Sequence, residues 1–160
     1  MPRLANPLVA DLLEIADGLA QQSGRPNLRQ AAIRKAVSTA YYAVFHALCT
    51  ICSDGLVRWS RTELVAKTYR ALDHGTARKR LSALASQPGA SADLKRISVT
   101  FGELQDKRND ADYERSRSLF NKNEALTEIR KARETVELLG RFDEDARRRL
   151  AIDLLVAKGR

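Results

Sequence analysis

Apolar residues recur along the chain at a spacing near 3.6, and the two-residue alternation of a half-buried strand is missing. Leu8, Leu12, Ile15 and Leu19 form a first stripe, which predicts a helix beginning near Pro7 with Asn6 as its cap. Gly24 and Pro26 are expected to end it. A long second helix is expected after Asn27 and up to Gly55, carrying Ile33, Val37, Ala40, Val44, Leu48 and Ile51. Tyr41, Phe45, Cys49 and Cys52 give that helix a second apolar face, which suits a central position in a bundle.

Ser60 and Glu63 have the spacing of a capping box, and Trp59 can staple onto Leu64. The helix they open is expected to run to about Asp73, with Gly75 as its stop and His74 as a cationic group suited to its carboxyl end. A short basic helix with Arg78, Lys79 and Arg80 follows, and Pro88 and Gly89 break the chain. From about Ser91 towards Asp110, the residues Leu94, Ile97, Phe101 and Leu104 share a stripe. Another segment starts near Asn123 with Leu126, Ile129, Ala132, Val136 and Leu139, and Gly140 interrupts it. Residues 141–160 read as a terminal amphipathic helix, with Leu150, Leu154 and Leu155 beside a solvated run of Arg147, Arg148 and Arg149. The expected fold is therefore all-α, an up-and-down helical bundle of five to six helices in a single domain over residues 1–160.

Composition agrees with that picture. Eight Gly and four Pro leave little material for long loops, and 160 residues suffice for one core. Charge adds something new: 28 Lys and Arg against 20 Asp and Glu give +8. Such a surface suits an anionic partner such as RNA, and equally serves solubility. The start of the chain shows no secretory leader pattern, and no segment reads as a membrane span, so a cytoplasmic location without membrane association is expected. Cys49 and Cys52 have half-site spacing without a second pair, and are expected to be buried reduced thiols. No cofactor is expected, because the chain has no phosphate-binding glycine loop and no cluster of metal ligands in sequence. Ser38, His46 and Asp54 lie on one helix, too far apart along it for a hydrolase triad.

The stripe of positions 94, 97, 101 and 104 continues at 108, which is arginine. A guanidinium on a core face needs a partner, because a buried unpaired charge is costly. Asp112 lies four residues on, with Asn109 and Tyr113 adjoining. KRNDADYE is thus a polar cluster at the end of an apolar helix. It is either an internal arginine–aspartate anchor or an anion site.

The string AIRKAVSTAYYAVFHAL, followed later by LQDKRNDADYERS, resembles proteins of the HEPN family (higher-eukaryote and prokaryote nucleotide-binding domain). The motifs are AYYAVFH and RNDADY, the resemblance spans roughly 28–140, and the nearest likeness is to the bacterial branch with a late R-x-x-ADY motif. It implies a helical bundle that dimerises. In many relatives an arginine, the polar residue after it and a nearby histidine form a metal-independent RNA-cleaving site at the dimer cleft. By position, Arg108 and Asn109 match the first two, whereas Tyr113 stands where R-x4-H would place the histidine.

That departure bears on the chemistry. Cleavage without a metal needs a base for the 2′-hydroxyl, an acid for the leaving oxygen and a cation on the phosphate. Arginine provides the cation. A tyrosine, ordinarily ionised near pH 10, is a poor base at pH 7 but can donate a proton or stack on a nucleobase. Asp112 is an alternative acceptor, less suited because it is the expected partner of Arg108. His46, in AYYAVFH, is the histidine placed to approach the cluster. Two readings follow: an RNA-binding HEPN-type homodimer with a degenerate ribonuclease motif, toxin-like in its action, or a non-catalytic interaction module that partners a nucleotidyltransferase in a toxin–antitoxin or defence system.

Overall fold

A computed structural model describes residues 4–57, 62–116 and 119–156, and among them the chain is all helical. The described residues form seven helices: α1 (Pro7–Ala20), α2 (Pro26–Val57), α3 (Thr62–Arg70), α4 (His74–Ala85), α5 (Ala92–Tyr113), α6 (Lys122–Gly140) and α7 (Glu144–Leu155). Seven helices exceed the expected bundle of five to six, because the short basic helix around Arg78–Arg80 and the terminal helix of residues 141–160 both stand as separate elements with aspartate caps. Asp73 accepts from the Thr76 amide to start α4, and Asp143 accepts from the Ala146 amide to start α7. Asn6, Ser91 and Asn121 cap α1, α5 and α6 in the same way, and Asn121 forms a full capping box with Glu124. The Ser60–Glu63 capping box and the Trp59–Leu64 staple lie outside the described residues.

Helix α2 is the hub, packing against α1, α3, α5, α6 and α7. Val37, Ala40, Val44, Leu48 and Ile51 are fully buried, and so is Tyr41 on the second face. Cys49 and Cys52 are buried free thiols, and burial pushes both up to about 12. Contrary to the expectation that no segment has spanning length, α2 is long and apolar enough to cross a membrane, although most of that stretch is buried in the bundle.

Three sequence expectations are corrected. On α1 the buried face is Val9, Leu13, Ala16 and Ala20, whereas Leu8 and Ile15 are exposed. Leu12 and Leu19 of the expected stripe are partly buried against the core, Asp11 and Glu14 face solvent, and the buried centre is turned towards the small residues Ala16 and Ala20. Gly55 does not stop α2. It lies within the helix where α7 crosses, and a Cβ there would come 2.8 Å from both the Ala151 Cβ and the Arg147 carbonyl oxygen. Arg147 is not part of a solvated run. Only 13% of its side chain is exposed; it lies 3.9 Å from Asp54 and donates to the carbonyls of Gly140 and Phe142 at the end of α6. Arg148 and Arg149 are exposed, as expected.

The far end of α5 is held by an arginine from α2. Arg34 donates to the carbonyl oxygens of Ala111 at 2.7 Å and Ser116 at 3.1 Å, and also to that of Glu114. A cation at the negative end of the helix dipole satisfies carbonyls that have no partner inside α5. This clamp fixes the turn of helix that carries residues 108–113.

Candidate functional site

Arg108 lies where the stripe of α5 reaches the surface, with 17% of its side chain exposed. Its Nη2 donates to the Tyr42 hydroxyl at 2.6 Å, and its Nη1 donates to the Asn109 side-chain oxygen at 3.0 Å. Nε lies 3.1 Å from an Asp112 carboxylate oxygen, yet it is buried and makes no aligned hydrogen bond. The expected Arg108–Asp112 pair is therefore present as a charge contact rather than a well-directed bond. The Tyr42 hydrogen bond, more than Asp112, raises the arginine above its ordinary pKa. The guanidinium carbon stands 5.7 Å from the Tyr41 ring centre, 5.3 Å from that of Tyr42 and 6.0 Å from that of Tyr113. Three rings thus face the cation, and Tyr113 is 73% exposed.

Beyond Asp112 the surface opens into a concavity of about 480 Å³ lined by Arg34, Lys35, Asp112 and Arg115 among others. Lys35 and Arg115 are exposed, so the groove presents positive charge next to the arginine.

His46 is not brought to this cluster. Its Nδ1 bonds the Tyr69 hydroxyl of α3, which in turn accepts from Asn6 Nδ2 at 3.1 Å. Asn6 also donates to Thr50, so this network ties the cap of α1 to α2 and α3. Burial lowers the His46 pKa. The chain matches no protein-family model, no curated protein and no solved structure.

The histidine beside Arg108 is His74. It opens α4, so the expectation of a cation at a helix carboxyl end is reversed: the imidazole sits at the amino end, where positive charge is disfavoured. Its ring stacks on Phe45 at 3.9 Å between centres and lies 5.6 Å from Tyr41 and 5.8 Å from Tyr42. Burial, then the charge of Arg108, lowers its pKa, with Asp73 opposing. Sequence reasoning misses this because Asp73 and Gly75 read equally well as the end of one helix and the start of the next. The available signal was Asp73 three residues before Thr76, an amino-cap spacing. Among the described residues no group of three or more His, Cys, Asp or Glu side chains gathers as a metal site would.

Proposed function

We propose that this chain is an RNA-binding protein of HEPN type, with Arg108 as its phosphate contact. The observation that carries the reading is the state of the guanidinium. It has five N–H donors, two of which make hydrogen bonds to described residues, through Asn109 and Tyr42. Nη1 and Nη2 each keep a further N–H, on a side chain partly open to solvent. A cation laid against tyrosine rings with donors in reserve is suited to a phosphodiester. Exposed Tyr113 offers a ring for a base to stack on, and the groove past Asp112 offers Lys35 and Arg115 for neighbouring phosphates. A homodimer would set two such surfaces about a shared cleft.

The test is Arg108→Ala, read by RNA affinity and thermal melting together. A phosphate contact predicts at least a tenfold loss of affinity for single-stranded RNA, a shallower dependence on salt and a modest fall in Tm. A purely internal anchor predicts the opposite pattern, with a large fall in Tm because Asp112 loses its partner and RNA affinity unchanged in the folded fraction; that outcome would sink the reading in favour of an interaction module. Wild-type protein incubated with RNA in EDTA decides whether binding is accompanied by metal-independent cleavage.

A further inference from the structure

A chain of hydrogen bonds runs from the surface of α5 to the imidazole of His74, and its direction is fixed. Arg78 of α4 forks onto Asp106, at 2.5 Å to one carboxylate oxygen and 3.0 Å to the other. The same guanidinium donates to the Gln105 side-chain oxygen at 3.3 Å. A guanidinium can only donate, so the Gln105 oxygen must face Arg78 and its amide nitrogen must face the other way. That nitrogen donates to the Tyr41 hydroxyl at 3.3 Å and to the His74 carbonyl oxygen at 3.1 Å. Tyr41 is fully buried, and its oxygen already accepts from Gln105. Its own proton also needs an acceptor, and the one hydrogen-bonded to it among the described residues is His74 Nδ1, 2.7 Å away. Nδ1 is then an acceptor, and the proton of the neutral ring is on Nε2.

No hydrogen bond to a described residue occupies Nε2. His74 and Arg108 flank the same two rings, each within 6 Å of the centres of Tyr41 and Tyr42. We propose that His74 and Arg108 form an anion-binding pair, in which the imidazole donates through a neutral Nε2–H to an oxygen of a phosphate whose charge the guanidinium holds. The phosphodiester of RNA as the ligand rests on the reading above; the pair itself does not. This role differs from that of a general base, because the nitrogen without a partner among the described residues already carries its proton. It also differs from the usual phosphate-binding histidine, which must be charged and loses affinity as pH rises past its pKa. The donor here persists at neutral and higher pH. The titratable and charged groups around the ring are Asp73 at its own helix cap, Tyr41, Tyr42 and His46 on α2, and Arg108 on α5.

The test uses the full chain with ¹⁵N-labelled histidine. At pH 7.5 the ring nitrogens of His74 should report the Nε2–H form, and added inorganic phosphate should shift them, an effect lost in Arg108→Gln. Gln105→Glu reverses the chain: a carboxylate accepts from both Arg78 and Tyr41, so Tyr41 must accept from Nδ1–H and Nε2 loses its proton. That variant should show the swapped form and bind RNA about tenfold less tightly than wild type at pH 7.5, the worth of one hydrogen bond to a charged acceptor. The deficit should shrink at pH 5.5, where the imidazolium carries both protons. Tyr41→Phe, which removes the lock without adding charge, should give a mixture of the two forms. Finding wild-type His74 as Nδ1–H, or unmoved by phosphate, overturns the pair whether or not RNA binds. Phosphate shifts on His74 in a protein that does not bind RNA would uphold the pair and overturn only the RNA reading.

Discussion

Two histidines share a polarity that makes the fold sensitive to acid. Both His46 and His74 have folded-state pKa values below the ordinary 6.5, chiefly through burial. A group whose pKa is lowered on folding binds protons better in the unfolded chain. Its contribution is therefore fully present above the unfolded value and is lost as pH falls below about 6.5 towards the folded value. Tm should accordingly drop between pH 7.5 and pH 5, and the double variant His46→Gln with His74→Gln should flatten that limb; an unchanged slope in the double variant would refute the assignment. Gly55 offers a second single-residue prediction. Gly55→Ala places a Cβ 2.8 Å from backbone and side-chain atoms of α7. Backbone cannot yield as a flexible side chain does, so overpacking should cost about 1–3 kcal/mol and lower Tm by several degrees. A variant as stable as wild type would show that α7 moves away freely.

Among the elements, α5 depends on its neighbour for a proper end. Arg34→Ala would strip donors from the carbonyls of Ala111, Glu114 and Ser116, costing about 1–3 kcal/mol and speeding hydrogen exchange over the last turn of α5. Arg34→Lys should not restore it, since an ammonium lacks the planar fork that reaches several carbonyls at once. Exchange unchanged in Arg34→Ala would mean the helix end holds itself. The starts of α1 and α5 could be read in the sequence because a cap and a stripe coincide there, at Asn6 and at Ser91. Periodicity also placed Arg108 correctly, since position 108 follows 104 on the same face. What periodicity does not contain is rotation of one helix against another. Tyr42 as the partner of Arg108, and His74 rather than His46 as the nearby imidazole, follow from how α2, α4 and α5 are turned towards one another. The α1 stripe is half right for a related reason: its apolar arc runs from Ile15 and Leu8 round to Leu13, and packing in the bundle buries the Val9–Leu13–Ala16–Ala20 side of that arc. Leu12 and Leu19 lie at its margin, and Leu8 and Ile15 are left exposed.

For the molecule as a whole, an α2 apolar on two faces could serve either a bundle centre or a second copy of the chain, and α1, α3, α5, α6 and α7 pack around it within one chain. The homodimer now rests on the resemblance alone, so light scattering at micromolar concentration is the decisive measurement. A mass about twice 17.9 kDa is the expected result, and a strict monomer would remove the shared cleft from the proposed function while leaving the Arg108 surface intact. Far-ultraviolet circular dichroism should be dominated by helix, in keeping with seven helices among the described residues. The two thiols deep in α2 have a practical consequence. Closed off and far from their reactive anionic form, Cys49 and Cys52 should react with an alkylating reagent only when the hub helix is laid bare. In excess reagent, the rate of alkylation then becomes a stopwatch for the rare excursions of the whole bundle, readable by mass spectrometry without any added dye or mutation.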